Sequence, residues 1–188
     1  MAQIDEIPVN DIYSVSTECT KIRVNIRDIS SKRVPGPDEE VRPRFAKERD
    51  TELKKMIHSR LSNELEGKCG ENGYVQPGST NVLSISGGYC FENYIVFDVV
   101  YECMICSPVE GMILQCIARE VTESAGVRAE LDDVNNPMKI YIARDHHIKN
   151  ELFHTIAIDD VLKVRVFGSR YELNDKHISV IVELLSKI

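Results

Sequence analysis

Few side chains capable of chemistry gather at close spacing in this sequence. Cys103 and Cys106 form a lone C-x-x-C. Three residues apart on a strand they point to opposite faces, and no second Cys or His pair at metal spacing follows, so buried thiols explain them better than zinc or redox chemistry. His146 and His147 are adjacent and could act as ligands or as a general base. Neighbouring side chains diverge, however, and one packing inward while the other meets solvent is the ordinary arrangement. A small hydrolase using either histidine with a nearby carboxylate is therefore the weakest functional reading. Gly87-Gly88 has no following Lys-Ser or Lys-Thr and no following helix, so it reads as a hairpin turn instead of a phosphate loop. Asp132-Asp133 and Asp159-Asp160 fall at strand ends, where solvated charge is expected. No catalytic residue, metal or other cofactor is expected.

Binding remains, and charge limits what can be bound. The 188 residues carry 23 Lys and Arg against 30 Asp and Glu, a net charge of -7, so an undirected electrostatic grip on nucleic acid or anionic lipid is excluded and any RNA contact must be local. With 43% hydrophobic residues the chain can bury real cores. The first ten residues lack the basic and then apolar run of a signal peptide, and no apolar stretch approaches the roughly 20 residues of a membrane span, which predicts an intracellular protein with no membrane partner. The six cysteines lack the dense spacing of a disulfide scaffold and read as reduced, mostly buried thiols.

The elements that must position these side chains follow from periodicity. Residues 12–29 alternate, with Ile22, Val24 and Ile26 on one face and Lys21, Arg23, Asn25 and Arg27 on the other, which predicts a long strand. Residues 30–49 hold Pro35, Gly36, Pro37, Pro43 and an acidic run, the composition of an insertion loop. Asp50 can cap a helix in which Leu53, Met56, Ile57, Leu61 and Leu65 recur at helical spacing before Gly67. A turn at 70–78, an apolar run at 82–86 and a strand at 94–106 follow, so the first domain, residues 1–108, reads β-α-β-β. Residues 109–188 predict five antiparallel strands, at 111–122, 127–131, 139–143, 161–167 and 177–185, with a helical excursion at 145–153. That is the element list of an OB barrel. The fold class is α+β.

The order of these elements resembles a known family, the stalk subunit that is the seventh subunit of eukaryotic RNA polymerase II and its archaeal counterpart. The residues that carry the resemblance are Glu64-Leu65-Glu66-Gly67-Lys68-Cys69, the turn Glu71-Asn72-Gly73-Tyr74-Val75, the strand end Val99-Val100-Tyr101-Glu102, and Pro108-Val109-Glu110-Gly111. Residues 142–147 and 171–175 look more like the versions from large cytoplasmic DNA viruses. The resemblance implies a non-catalytic subunit that accompanies the transcription machinery; a viral version would work in the host cytoplasm or nucleus and be packaged in the virion. Its implied partners are the largest polymerase subunits and the clamp base, nascent RNA, and a fourth-subunit-like stalk protein. It further implies an N-terminal docking domain whose glycine-aromatic turn, Gly70, Gly73, Tyr74 and Val75, inserts at the clamp base. An ordinary loop with Tyr74 packed on its own core is the competing reading of that turn. A docking subunit should also expose apolar surface around Tyr74 and along residues 99–105.

OB barrels bind RNA on the outer face of their second and third strands, with aromatics stacking on bases and cations at phosphates. Arg128, Lys139, Tyr141, Arg144 and His146 lie in or beside those strands. Lys139 and Tyr141 share a strand face, so an outward Tyr141 has a cation beside it; an inward Tyr141 would be barrel core. Residues 111–188 carry 10 Lys and Arg against 12 Asp and Glu, which predicts modest affinity. The alternative to a polymerase subunit is a free-standing OB-domain RNA-binding protein.

Overall fold

A computed structural model of the chain describes residues 11–30, 43–122, 124–133, 135–148 and 150–188. The chain is α+β, mostly strand, and its contacts group it into two units. One holds the chain up to Ser14, Gly67–Gln76 and Ile105–Ile188; the other holds Val15–Glu66 and Pro77–Met104. The sequence puts one boundary after residue 108. Single strands contribute residues to both units.

The second of these units is built on β1 (Tyr13–Asn25) and β5 (Tyr94–Cys106), which pair. In β1 Ile22 and Val24 are buried while Lys21 and Arg23 are exposed, as the alternation requires. The strand ends before residue 29. At Asn25 the side-chain Oδ1 accepts the Arg27 N–H at 3.0 Å, an Asx turn that diverts the backbone into the short helix α1 (Ile26–Ser30). Helix α2 (Pro43–Leu65) begins at Pro43, seven residues before Asp50, since proline at a helix start removes only an N–H that would have no partner there. The expected loop is thus helical from residue 43, and 31–42 lie outside the described residues. The buried stripe of α2 includes Ile57 and Leu61, with Leu53, Met56 and Leu65 half-buried beside them.

After β2 (Tyr74–Val75), strands β3 (Asn81–Ile85) and β4 (Tyr89–Phe91) both run antiparallel along β5. Gly87-Gly88 is therefore a break between two strands on the same edge, and the chain reverses at Glu92-Asn93, between the paired Phe91 and Tyr94. Gly88 serves close approach: a Cβ there would stand 2.7 Å from the Phe97 ring. β5 has β1 on one side and β2, β3 and β4 on the other. Val99, Tyr101, Cys103 and Ile105 share one buried face of the strand while Val100, Glu102 and Met104 are half-buried on the other, which corrects the expected apolar exposure along 99–105. Apolar exposure falls at Leu83, Tyr89, Phe91 and Tyr94 instead.

Glu66, just past α2, anchors the turn that follows. Its carboxylate accepts the N–H of Gly78 at 2.8 Å and of Thr80 at 3.2 Å. Burial alone would raise its pKa, but the hydrogen bonds from the Gly78 and Thr80 N–H groups outweigh it and hold the carboxyl below its ordinary value. A carboxyl lowered on folding stabilises the fold at pH above its unfolded value of about 4.3, and that contribution is lost as pH falls through the folded value. Glu66→Gln should therefore reduce stability at pH 7 and flatten the acid limb of a urea-midpoint-against-pH profile; an acid limb identical to wild type would sink this assignment.

The other unit contains a closed barrel, OB-like in its element order. It comprises β6 (Ile113–Thr122), β7 (Gly126–Glu130), β8 (Met138–Ala143), β9 (Val161–Arg170) and β10 (Ile178–Lys187), closed in the order β10-β8-β7-β6-β9. Helix α3 (Arg144–His147) and a 3₁₀ turn (Glu151–Thr155) fill the passage from β8 to β9. The barrel is not wholly antiparallel, because β8 and β10 pair parallel. The reason is parity: an odd number of strands cannot alternate direction around a closed ring, so one neighbouring pair must share direction. Ile178, Val180, Val182 and Leu184 of β10 all face the core, joined by Leu162, Val164 and Val166 of β9 and Ile140 and Ile142 of β8. Each such side chain contributes about 1.5–3 kcal/mol by burial.

Candidate nucleic-acid interface

The register fixes which side chains meet on the outside of the barrel. Tyr141 lies opposite Arg128 of β7 and beside Ile181 of β10. Its strand neighbours Ile140 and Ile142 are fully buried while Tyr141 is 38% exposed, so Tyr141 is a surface residue and not barrel core. Lys139, half-buried, shares its face and pairs with Ser179. Arg128 Nε stands 3.4 Å from the Glu120 carboxylate, an exposed ion pair. Such pairs are worth about 0–1 kcal/mol, so a phosphate could compete for the guanidinium at small cost. Arg144 and His146 are exposed on α3 at the end of β8. The five sequence-predicted residues thus split into a strand group (Arg128, Lys139, Tyr141) and a helix group (Arg144, His146).

The structure adds two residues that sequence reading left out. Phe167 and Ile181 are 44% and 46% exposed, and the Phe167 ring meets His146 edge-on at 6.0 Å between centroids. A signal for both was present: Ile181 alternates with the buried Val180 and Val182, and Phe167 shares strand parity with Lys163 and Arg165 instead of with the inward valines. An aromatic on the charged side of a strand marks a surface contact.

The turn Gly70, Gly73, Tyr74 and Val75 is the tip of a small hairpin. Gly67 N–H donates to Val75 O and Val75 N–H to Lys68 O, each at 3.0 Å, and Gly70 N–H closes the turn onto Gly73 O at 2.8 Å. β2 pairs with the end of β5, Tyr74 opposite Cys106 and Val75 opposite Ile105. Cys69 N–H donates to Asp175 O and Asn174 N–H to Cys69 O, both at 2.8 Å, which ties the hairpin to the β9–β10 loop. Val75 is 4% exposed, and the half-buried Tyr74 packs against the barrel core. Burial, with the neighbouring thiols of Cys69 and Cys106, raises the Tyr74 phenol above its ordinary value. The residues this turn presents to solvent are Glu71 and Asn72.

His147 is buried, and its two ring nitrogens are both engaged by backbone. Nδ1 donates to Ala143 O at 2.8 Å and Nε2 accepts the Leu184 N–H at 2.9 Å, while the ring stacks on Phe153. The partners define the neutral Nδ1–H tautomer and leave no nitrogen lone pair free for a substrate proton. An open pocket of about 510 Å³ beside it is lined by His146 and by Glu151 and Glu183. Among the described residues no group of three or more His, Cys, Asp or Glu is placed to hold a metal ion, and no helix is long and apolar enough to cross a membrane.

The cysteines divide by environment. Cys19 and Cys90 are exposed; Cys69, Cys103, Cys106 and Cys116 are buried. Burial pushes Cys69 and Cys103 up to about 11 and Cys106 and Cys116 up to about 12, so these four are thiols near neutral pH. A thiol reagent at pH 8 should modify Cys19 and Cys90 within minutes and the other four only on unfolding. Rapid labelling of Cys116 in the native protein, read by peptide mass, would contradict the closed barrel.

Compared with known proteins, the chain matches no family model and no curated protein.

Proposed function

We propose that this protein is a non-catalytic stalk subunit of a multisubunit DNA-directed RNA polymerase, of the kind found in large cytoplasmic DNA viruses. It docks on the core enzyme and contacts nascent RNA as the transcript emerges. The observation that carries this reading is the outward Tyr141, flanked by Arg128 and Lys139 on the second and third strands of an OB-like barrel, where such barrels stack bases and hold phosphates. It is joined by the sequence resemblance, whose motifs run in order from the end of α2 to the start of the barrel. Exposed apolar side chains at Leu83, Tyr89, Phe91 and Tyr94 suit a subunit that buries part of its surface against a larger partner. The net charge of -7 agrees with an RNA contact that depends on tethering to a polymerase for its effective concentration.

One observation favours the second reading, a free-standing OB-domain RNA-binding protein: Tyr74 and Val75 pack on the protein's own core, which leaves Glu71 and Asn72 to do any docking at that turn. An affinity pull-down of the tagged chain from its native source in moderate salt, with bound proteins identified by mass, separates the two. Recovery of the two large polymerase subunits in equal proportion supports the stalk role. RNA or ribosomal proteins recovered without them would replace it with the free binder.

A further inference from the structure

We propose that the outer face of the barrel carries a second base-stacking position at Phe167, so that it holds single-stranded RNA by two bases splayed across β8, β10 and β9. This rests on the RNA-contact reading of the same face and extends it to residues outside the expected strands.

The β9–β10 ladder contains a defect. Along β9 and β10, Ile181 pairs with Gly168 and Val182 with Val166, which leaves Phe167 as an extra residue without a partner. Such a bulge re-aims the side chain of the inserted residue. Here strand parity already points the ring away from the inward Leu162, Val164 and Val166, and the bulge frees it from a cross-strand neighbour that would cover it. Exposing that ring forgoes the burial that stabilises its neighbours, and nothing in the barrel core needs it outside.

What lies next to Phe167 defines the ligand. His146 closes on one edge of the ring, 6.0 Å between centroids at an interplanar angle of 65°. On the other side Ile181, itself 46% exposed, pairs with Gly168 across one ladder and with Tyr141 across the other. The face is thus an apolar floor with an aromatic at each end. Arg128 stands beyond Tyr141, and Arg165, ion-paired to Glu183 at 3.6 Å, lies on the β9 side.

Spacing then selects single strands. Tyr141 and Phe167 sit on strands separated by β10, so their rings stand roughly 10 Å apart. Bases in a duplex rise only about 3.4 Å per step, too little to lay two adjacent base faces on rings that far apart. An unpaired strand can splay its bases onto both. A protein partner or a second copy of this chain would also cover the apolar floor, but Lys139 lies on it and the exposed ion pairs of Arg128 with Glu120 and Arg165 with Glu183 yield a guanidinium to phosphate at small cost, which favours a polyanion.

The chain contains no tryptophan, so Phe167→Trp installs a single indole reporter on a surface position. Titrated at low salt with single-stranded oligouridine of about ten nucleotides, that variant should show saturable quenching. In wild-type background, Phe167→Ala should weaken binding at least about fivefold while leaving Tm unchanged, since the ring is surface-exposed. A duplex of equal length should not compete. Wild-type binding with no quenching and no loss in Phe167→Ala overturns the second position and leaves the Tyr141 contact standing. Absence of wild-type binding at low salt overturns both. A mass that doubles with protein concentration, and no longer does so in Phe167→Ala, assigns the face to self-association and overturns the proposal.

Discussion

Replacing His147 by leucine is expected to destabilise the barrel by about 2–4 kcal/mol, with a fall in Tm of roughly 5–15 °C and an unchanged denaturant slope. His147 is the one described histidine inside the fold, and it links α3 to β10 through two backbone hydrogen bonds of 2.8 and 2.9 Å. Leucine of similar size would keep much of the packing on Phe153 but leave the Leu184 N–H and the Ala143 C=O without that partner, the first of them buried. A buried donor left unmade costs the full desolvation of that group, about 1–3 kcal/mol. The acceptor at Ala143, on the half-buried strand end, adds less. His147→Gln separates the hydrogen-bond account from a packing account. Its amide oxygen can still accept from Leu184, so it should recover part of the loss. Equal destabilisation by leucine and glutamine, measured by urea unfolding, would show that ring packing and not the hydrogen bonds carries the effect. His146→Leu, one residue away on the exposed side, should change stability by less than about 0.5 kcal/mol.

The second large effect is expected at Gly73. Its φ of +139° is one that side-chain-bearing residues rarely adopt, and an added Cβ would stand 2.4 Å from the Cys106 carbonyl oxygen and 2.8 Å from Ile105 Cγ2. The closer obstacle is backbone, so no rotamer change relieves it. Gly73→Ala must either strain the β2–β5 pairing or release it, at a cost of about 2–4 kcal/mol. Gly70, three residues earlier, meets nothing closer than 3.8 Å, and alanine there should be tolerated. Release of the pairing would expose Tyr74 and the Cys106 thiol. The expected signature is therefore new reactivity of Cys106 toward a thiol reagent in Gly73→Ala under native conditions. Wild-type stability in that variant would mean that the hairpin is held by something other than its fit against β5.

These two positions bear on function through the elements they hold. His147 fixes α3, which carries Arg144 and His146 to the edge of the outer face. Gly73 allows the hairpin to lie against the end of β5, with only Glu71 and Asn72 turned to solvent. A variant at either position that loses RNA or polymerase binding therefore needs a stability measurement beside it. Phe167 and Tyr141, which lie outside the barrel core, are the cleaner probes of the proposed binding face.

Where alternation was strict, the amino-acid order alone determined the element and its inward face. Ile178, Val180, Val182 and Leu184 could be assigned to the core of β10, and Ile57 and Leu61 to the buried stripe of α2, because strand and helix periods impose those faces locally. A closed five-strand barrel followed from counting such segments. Boundaries set by single side chains were less visible. The Asx turn at Asn25 ended β1 early, and Pro43 started α2 inside a stretch whose composition reads as loop. The rest depended on pairing between segments distant in sequence. Tyr141 could be core or surface until the ladder put it beside Ile181 and opposite Arg128, and Gly87-Gly88 could be a hairpin turn until β3 and β4 were found on one edge of β5. Parity along β9 put Phe167 on the outer face, but only the ladder showed that it lies in a bulge beside Ile181. Periodicity is written in neighbours along the chain, whereas register, bulges and strand direction at closure are decided by hydrogen bonds between residues tens of positions apart, and it is those that assemble the candidate site.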